Sequence, residues 1–227
     1  MTYKVRTPAG IVAAERVTQV IRSVLAAPAL ERWKLEQVAT HASALTAEGT
    51  WRSPAHCISS WERMSQSAAN RGSRVHAWIA AVLCGADLPS VSMSDKPLCD
   101  AFLGWLVDHP WQTLGTEVTV TTREAPLVAG RLDGLFADAD DVILCDWKTT
   151  KTAPDLPYLD HEAQIGAYAS LPHRLGATGT IGPRVPKVTR AVVVYLTPEG
   201  ARPLDVNLWR ATAAWTAILT LHQLRSR

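Results

Sequence analysis

The chain has 227 residues, enough for one well-cored domain with a helical elaboration and short for two independent ones. Hydrophobic residues make up 47% and charged residues 19%; no apolar run nears the ~20 residues of a membrane span, and MTYKVRTPAG lacks the basic start and apolar core of a signal peptide, so a cytoplasmic protein with no membrane partner is expected. The formal charge of +2 divides into blocks: residues 1–80 carry 10 Lys/Arg against 5 Asp/Glu, 81–170 carry 5 against 14, and 171–227 carry 8 against 2. That layout suits a cation-binding centre between arms that touch phosphate, though solvated surface would also produce it.

The first hundred residues read as helical. VTQVIRSVLAA (17–27) and LERWKLEQVATHASALTA (30–47) repeat apolar residues at three- and four-residue steps, and Pro28 breaks the first pattern. EGTWRSP (48–54) is a loop. A helix runs through ISSWERMSQSAA and continues or restarts at SRVHAWIAAVLCG, stopping at Gly85. After the loop LPSVSMSDKP (88–97), CDAFLGWLVDH (99–109) forms a short amphipathic helix.

The character then changes. TEVTVTT (116–122) alternates and is rich in β-branched residues, so it reads as a strand; LVAGRLDGLF (127–136) is a second. ADADD (137–141) is the turn to a third strand, VILCDWKTT (142–150), apolar enough to be central. A helix over 158–171, a Gly/Pro-rich loop over 176–187, a strand over 190–197, an edge strand at ARPLDVN and a closing helix over 208–224 complete the pattern. The expected fold is α/β: a small central mixed sheet flanked by helices, with residues 1–110 mainly helical and 111–227 forming the core of one domain spanning 1–227.

Period two puts Asp146 and Lys148 on one face of their strand and turns Trp147 into packing. A hairpin at 137–141 brings Asp133 to Asp146. Two such carboxylates repel unless a cation lies between them, and a divalent metal with oxygen ligands removes the conflict. Lys148 then stands where it can orient or activate a water and hold a phosphate oxygen. A plain salt bridge between Asp146 and Lys148 is the competing reading. Arg131 neighbours Asp133 but is assigned to the opposite sheet face and left out. The four cysteines (57, 84, 99, 145) form no CxxC and read as buried free thiols. Most of the nine Trp residues sit beside Leu and Ala at helical spacing, which favours core packing over base stacking.

The motifs in order are RGSRVHAW with Gly72 and His76, GTEVTV with Glu117, GRLD with Gly130 and Asp133, DWKTTK with Asp146, Lys148 and Thr149, and QIGAY with Gln164 and Tyr168. This series resembles the PD-(D/E)xK nuclease superfamily in its RecB-like and Cas4-like branch, and the N-terminal stretch from Val17 looks like the start of its phage-encoded members. The resemblance implies a restriction-endonuclease-like core. It implies that His76, Asp133, Asp146 and the carbonyl of Trp147 bind Mg²⁺ or Mn²⁺, that Lys148 positions the attacking water, and that Gln164 and Tyr168 line the site. Glu117 would be an outer metal group or a partner for Lys or Arg. Cas4 proteins hold an iron–sulfur cluster through one upstream and three C-terminal cysteines; no cysteine follows Cys145, so no cluster is expected. No GxxxxGK[ST] loop marks an ATP motor.

The implied activity is metal-dependent hydrolysis of DNA phosphodiesters, first as an exonuclease in recombination, repair or phage replication in a bacterial or phage-infected cytosol. The alternatives are an endonuclease or structure-specific nicking enzyme of the same chemistry, and a non-cleaving DNA-binding relative. Self-association and a recombination partner protein remain open.

Overall fold

A computed structural model describes residues 2–25 and 28–226; residues 26 and 27, the end of the first expected helix, lie outside the described residues. The chain opens with a hairpin, β1 (Tyr3–Thr7) and β2 (Gly10–Arg16), followed by α1 (Val17–Leu25), α2 (Pro28–Ala47), α3 (Pro54–Cys84) and α4 (Lys96–Asp108). Then come β3 (Gln112–Thr121), β4 (Val128–Asp138), β5 (Asp141–Thr149), α5 (Leu159–Ser170), β6 (His173–Leu175), β7 (Ile181–Arg184), β8 (Arg190–Thr197), β9 (Gly200–Asp205) and α6 (Leu208–Arg225). The fold is α/β, a mixed sheet flanked by helices, as the sequence pattern predicts.

Two compact units divide the chain: residues 26–74, and residues 1–25 together with 75–227. Within 26–74, the end of α2 and the start of α3 are tied by His41 Nε2 to Ser60 Oγ at 3.0 Å and by the Cys57 thiol to the Val38 carbonyl at 3.6 Å.

In the larger unit the sheet runs β7-β6-β3-β4-β5-β8-β9. β3, β4 and β5 form an antiparallel meander, while β5 and β8 are parallel, joined by a connection that includes α5. Period two sorts β5 between the two faces. Ile143, Cys145 and Trp147 join Val75, Trp78, Ile79, Phe102 and Trp105 from α3 and α4 in one core. Leu144 joins α1, α5 and α6 in the other, with Tyr168, Tyr195, Ala211 and Trp215. The ring centroids of Trp105 and Trp147 lie 4.9 Å apart, and each such buried ring contributes on the order of 2–3 kcal/mol. Gly85 ends α3 at φ 62°, a left-handed position that glycine accepts without strain.

Three expectations need correction. Residues 3–16 are not part of a helical start: they form the β1–β2 hairpin, and β2 pairs in parallel with Val128 and Ala129 of β4. The Gly/Pro-rich stretch 176–187 is not only a loop, because Ile181–Arg184 forms β7 and pairs with β6 at the sheet edge. Of the four free thiols, Cys84 is exposed rather than buried, since it ends α3 at the surface. Trp51 and Trp209, 39% and 82% exposed, are exceptions to the core packing expected of most Trp residues, which Trp78, Trp105, Trp147 and Trp215 follow. No helix among the described residues is long and apolar enough to cross a membrane.

The β4 edge that faces β5 is interrupted. β5 pairs with it from Asp138 back to Gly134, and β2 pairs with it at Val128 and Ala129. Among the described residues, no strand pairs with 130–133 on that edge. The sheet is split there, and the split positions the site.

Candidate active site

Asp133 sits in the split, one step beyond the Gly134–Cys145 pair; Asp146 is one step beyond Cys145 on the facing strand. The Asp133 carboxylate replaces the missing ladder: its Oδ2 accepts the Trp147 backbone N–H at 3.0 Å. His76, on the last turns of α3, approaches the same oxygen with Nδ1 at 3.4 Å. Burial works against charge on both partners, but their mutual attraction outweighs it: the His76 pKa is raised and the Asp133 pKa lowered. The N–H of Trp147 adds to the stabilisation of the Asp133 anion.

Asp146 is fully buried. The Lys148 ammonium lies 2.6 Å from its Oδ2 as a close ion pair, while the buried Oδ1 has no hydrogen-bond donor. Burial raises the Asp146 pKa to about 6; Lys148 opposes the shift and Asp133 reinforces it. For Lys148, burial is outweighed by Asp146 and Asp133, and its pKa is raised. Lys148 Nζ also donates to Gln164 Oε1 at 3.0 Å, and Gln164 Nε2 donates to Tyr168 Oη at 3.0 Å. An ammonium only donates, so Gln164 must turn its carbonyl to Lys148 and its amide hydrogens to Tyr168. The one-turn spacing of Gln164 and Tyr168 on α5 makes this chain of contacts possible. Gly130 leaves room for it: a Cβ there would lie 2.5 Å from Tyr168 Cε1. Burial pushes the Tyr168 phenol up, so it stays neutral.

Glu117 lies on β3 at φ 52°, where the strand is locally distorted. Its Oε2 pairs with Arg131 Nε at 2.6 Å. Burial raises the Glu117 pKa, against Arg131. Arg131 is therefore not turned away from the site: residues two apart on a strand return to one face, and its guanidinium reaches a carboxylate beside Asp133. His76, Glu117 and Asp133 each offer one ligand atom, all within 4.8 Å of one another. They share a cavity of about 150 Å³ with Arg16, Arg131 and Tyr168. A larger cavity of about 550 Å³, between α4 and the β8–β9 turn, is lined by Asp100, Asp108, His109 and Glu199, which form no such close set among the described residues.

The structure thus brings together His76, Glu117 and Asp133 as one group and Asp146, Lys148, Gln164 and Tyr168 as another, with the Asp133 charge acting on Asp146 across the split. Trp147 contributes its N–H here while its ring packs in the core behind the sheet. Thr149 ends β5 beside Leu196, and Gly72 belongs to the 26–74 unit. The donor set suits a hard divalent cation. The Asp146 Oδ1, buried without a donor, is what such an ion would satisfy, and imidazole beside carboxylates accommodates Mn²⁺ as well as Mg²⁺.

Sequence reasoning missed His161 and Tyr195. His161 Nδ1 lies 2.8 Å from Tyr195 Oη, and Tyr195 is the register partner of Lys148 on the parallel strand. The spacing 161, 164, 168 on one helix face was the available signal.

No protein-family model matches the chain. No curated protein matches it either. Among solved structures it is similar to an alkaline exonuclease (LHK-Exo) from Laribacter hongkongensis, at TM-score 0.34 and 12% identity over 66% of this chain and 78% of that one. It is similar to LHK-Exo in complex with dAMP, at 0.33 and 14% over 69% and 87%. It is also similar to SSO0001, at 0.34 and 16% over 57% of this chain and 59% of that one.

Proposed function

We propose that this protein is a metal-dependent DNA nuclease of the PD-(D/E)xK type, acting as an exonuclease in DNA recombination, repair or phage replication. The observation that carries the reading is the buried Asp146 carboxylate, whose Oδ1 has no hydrogen-bond donor while its Oδ2 pairs with Lys148 and the Asp133 charge adds to its raised pKa. A purely structural salt bridge would hydrogen-bond its remaining lone pairs.

Asp133, Asp146 and His76 would hold the cation, Mg²⁺ or Mn²⁺, with the Trp147 carbonyl as a further ligand and Glu117 within reach. A divalent ion there would supply polarisation of the phosphate and acidification of the attacking water. Lys148, held by Asp146 and Gln164, orients the attacking water and carries a phosphate oxygen. A P–O bond forms to the water oxygen, the P–O bond to the leaving sugar oxygen breaks, and that oxygen takes up a proton. Tyr168 fixes Gln164 and so fixes Lys148. Contacts to DNA run through phosphates, from the basic blocks 1–80 and 171–227, so binding weakens with salt and sequence preference is slight.

The test is cleavage of linear and closed circular DNA, single- and double-stranded, with Mg²⁺, Mn²⁺ or EDTA, by the wild type and Lys148→Ala. Metal-dependent loss of linear DNA with circles intact is expected. Cutting of closed circles would make the enzyme an endonuclease of the same chemistry, and equal activity in Lys148→Ala would remove the assigned site.

A further inference from the structure

We infer that His161 contacts a phosphate oxygen of the bound strand through its Nε2–H, held in that tautomer by Tyr195. This rests on the nuclease reading for the identity of the phosphate. The geometry comes from three elements. Tyr195 on β8 is the register partner of Lys148 on β5, so the two side chains rise from the same sheet face on adjacent strands. His161 stands on α5, three residues before Gln164 and thus on the same helix side. Its Nδ1 lies 2.8 Å from Tyr195 Oη.

The Tyr195 hydroxyl already accepts the Tyr158 backbone N–H at 3.4 Å. Its own proton is therefore free to go to His161 Nδ1, which leaves the ring proton on Nε2. Nε2 makes no hydrogen bond among the described residues: Asp160 Oδ2, at 4.0 Å, is beyond reach, and a fifth of the His161 side chain is open to solvent. A tether between α5 and β8 needs Nδ1 alone. The ring thus presents an unengaged donor beside the Lys148–Gln164 pair, where the proposed reaction places a phosphate.

The charged and titratable groups around it agree with a neutral donor. Burial, then the Lys148 ammonium, lower the His161 pKa to about 4, while Asp160 opposes them. The Tyr195 phenol is raised by burial and keeps its proton. His161 therefore adds no second cation next to Lys148, and its contribution is directional rather than coulombic.

The experiment compares wild type, His161→Phe, His161→Gln, His161→Asn and Tyr195→Phe on linear duplex DNA with Mn²⁺. A glutamine amide reaches the position of Nε2, an asparagine amide that of Nδ1. His161→Phe should lose about tenfold or more in kcat/KM, the scale of one hydrogen bond to a charged oxygen. His161→Gln should recover most of the loss and His161→Asn little; Tyr195→Phe, which frees the tautomer, should fall between. Recovery by His161→Asn equal to that by His161→Gln, recovery by neither, or wild-type kinetics in His161→Phe would each overturn the inference while leaving the nuclease reading standing. A second measurement does not depend on cleavage: ¹⁵N NMR of the His161 ring in the full chain, with EDTA, titrated with inorganic phosphate. The Nε2–H tautomer and a phosphate-dependent shift of Nε2 are expected. The Nδ1–H tautomer, or no response to phosphate, overturns the inference. A wild type that cuts no DNA would end the nuclease reading, and the NMR result would still decide the anion contact.

Discussion

At its turn, the β4–β5 hairpin exposes Asp138 and Asp140 to solvent; at the split, the same two strands bury Asp133 and Asp146. The turn is the more acidic stretch of sequence, yet its carboxylates meet water or neighbours already built for them, such as Thr189 donating to Asp141. The split end holds fewer carboxylates and leaves one oxygen of one of them, Asp146 Oδ1, without a donor. Charge density along a chain therefore locates a solvated surface, whereas chemistry follows the place where burial and a gap in backbone pairing coincide.

The largest expected contrast between the two ends is in rate. Lys148→Ala and Asp146→Asn should each lower single-turnover DNA cleavage by about a thousandfold or more, the scale of removing a main electrostatic element of a centre. Circular dichroism should show both variants folded, and a cleavage rate near wild type in either would erase the distinction. Next in size is Gly130→Ala, at the rim of the split. Its Cβ would press on Tyr168 and on Val17, so urea titration should show a stability loss of ~1–3 kcal/mol and cleavage should fall with the displaced Tyr168.

Acidity gives a third contrast. With its folded pKa raised from 3.8 to about 6, Asp146 binds more protons in the metal-free fold than in the unfolded chain across that window. Its contribution to stability is present at low pH and lost as pH rises through about 6. Asp133 runs the opposite way: its lowered pKa contributes stability above the unfolded value that is lost on acidification. In the proposed site Asp146 would bind metal as the anion, so the melting-temperature gain from Mn²⁺ over EDTA should be small near pH ~5 and grow through pH ~6 to ~7. A gain independent of pH would detach Asp146 from the metal. The smallest effects belong to the turn. Asp140→Asn should leave cleavage unchanged and stability within ~0.5 kcal/mol. Ala139→Gly, relieving a left-handed φ of 50°, should stabilise by up to ~1 kcal/mol; both are read by denaturant unfolding.

The strands that carry the site were legible because each is long, alternating and bounded by turn residues. Asp146 and Lys148 could be placed on one face by period two alone, and Asp133 opposite them by the short turn. The N-terminal hairpin was not legible, since β2 is exposed at all but one position and is held by pairing with β4, a contact more than a hundred residues distant. Arg131 was misassigned by a slip in the two-residue period, and its partner Glu117 depends on a local distortion of β3 that no residue in GTEVTV announces. His161 and Tyr195 meet only because β8 lies beside β5 in one particular register.

The interruption in the β4 edge has a consequence for how the site tolerates change over generations. Between the last β5 pair and the first β2 pair, residues 130–133 turn main-chain groups toward the opening rather than toward a neighbouring strand. Contacts made by a peptide N–H or carbonyl survive most side-chain replacements. Any group that reaches that edge would meet atoms that every residue possesses. Variation at the rim could then be extensive while the opening keeps its width, provided that β2 continues to close one end and the Gly134–Cys145 pair the other.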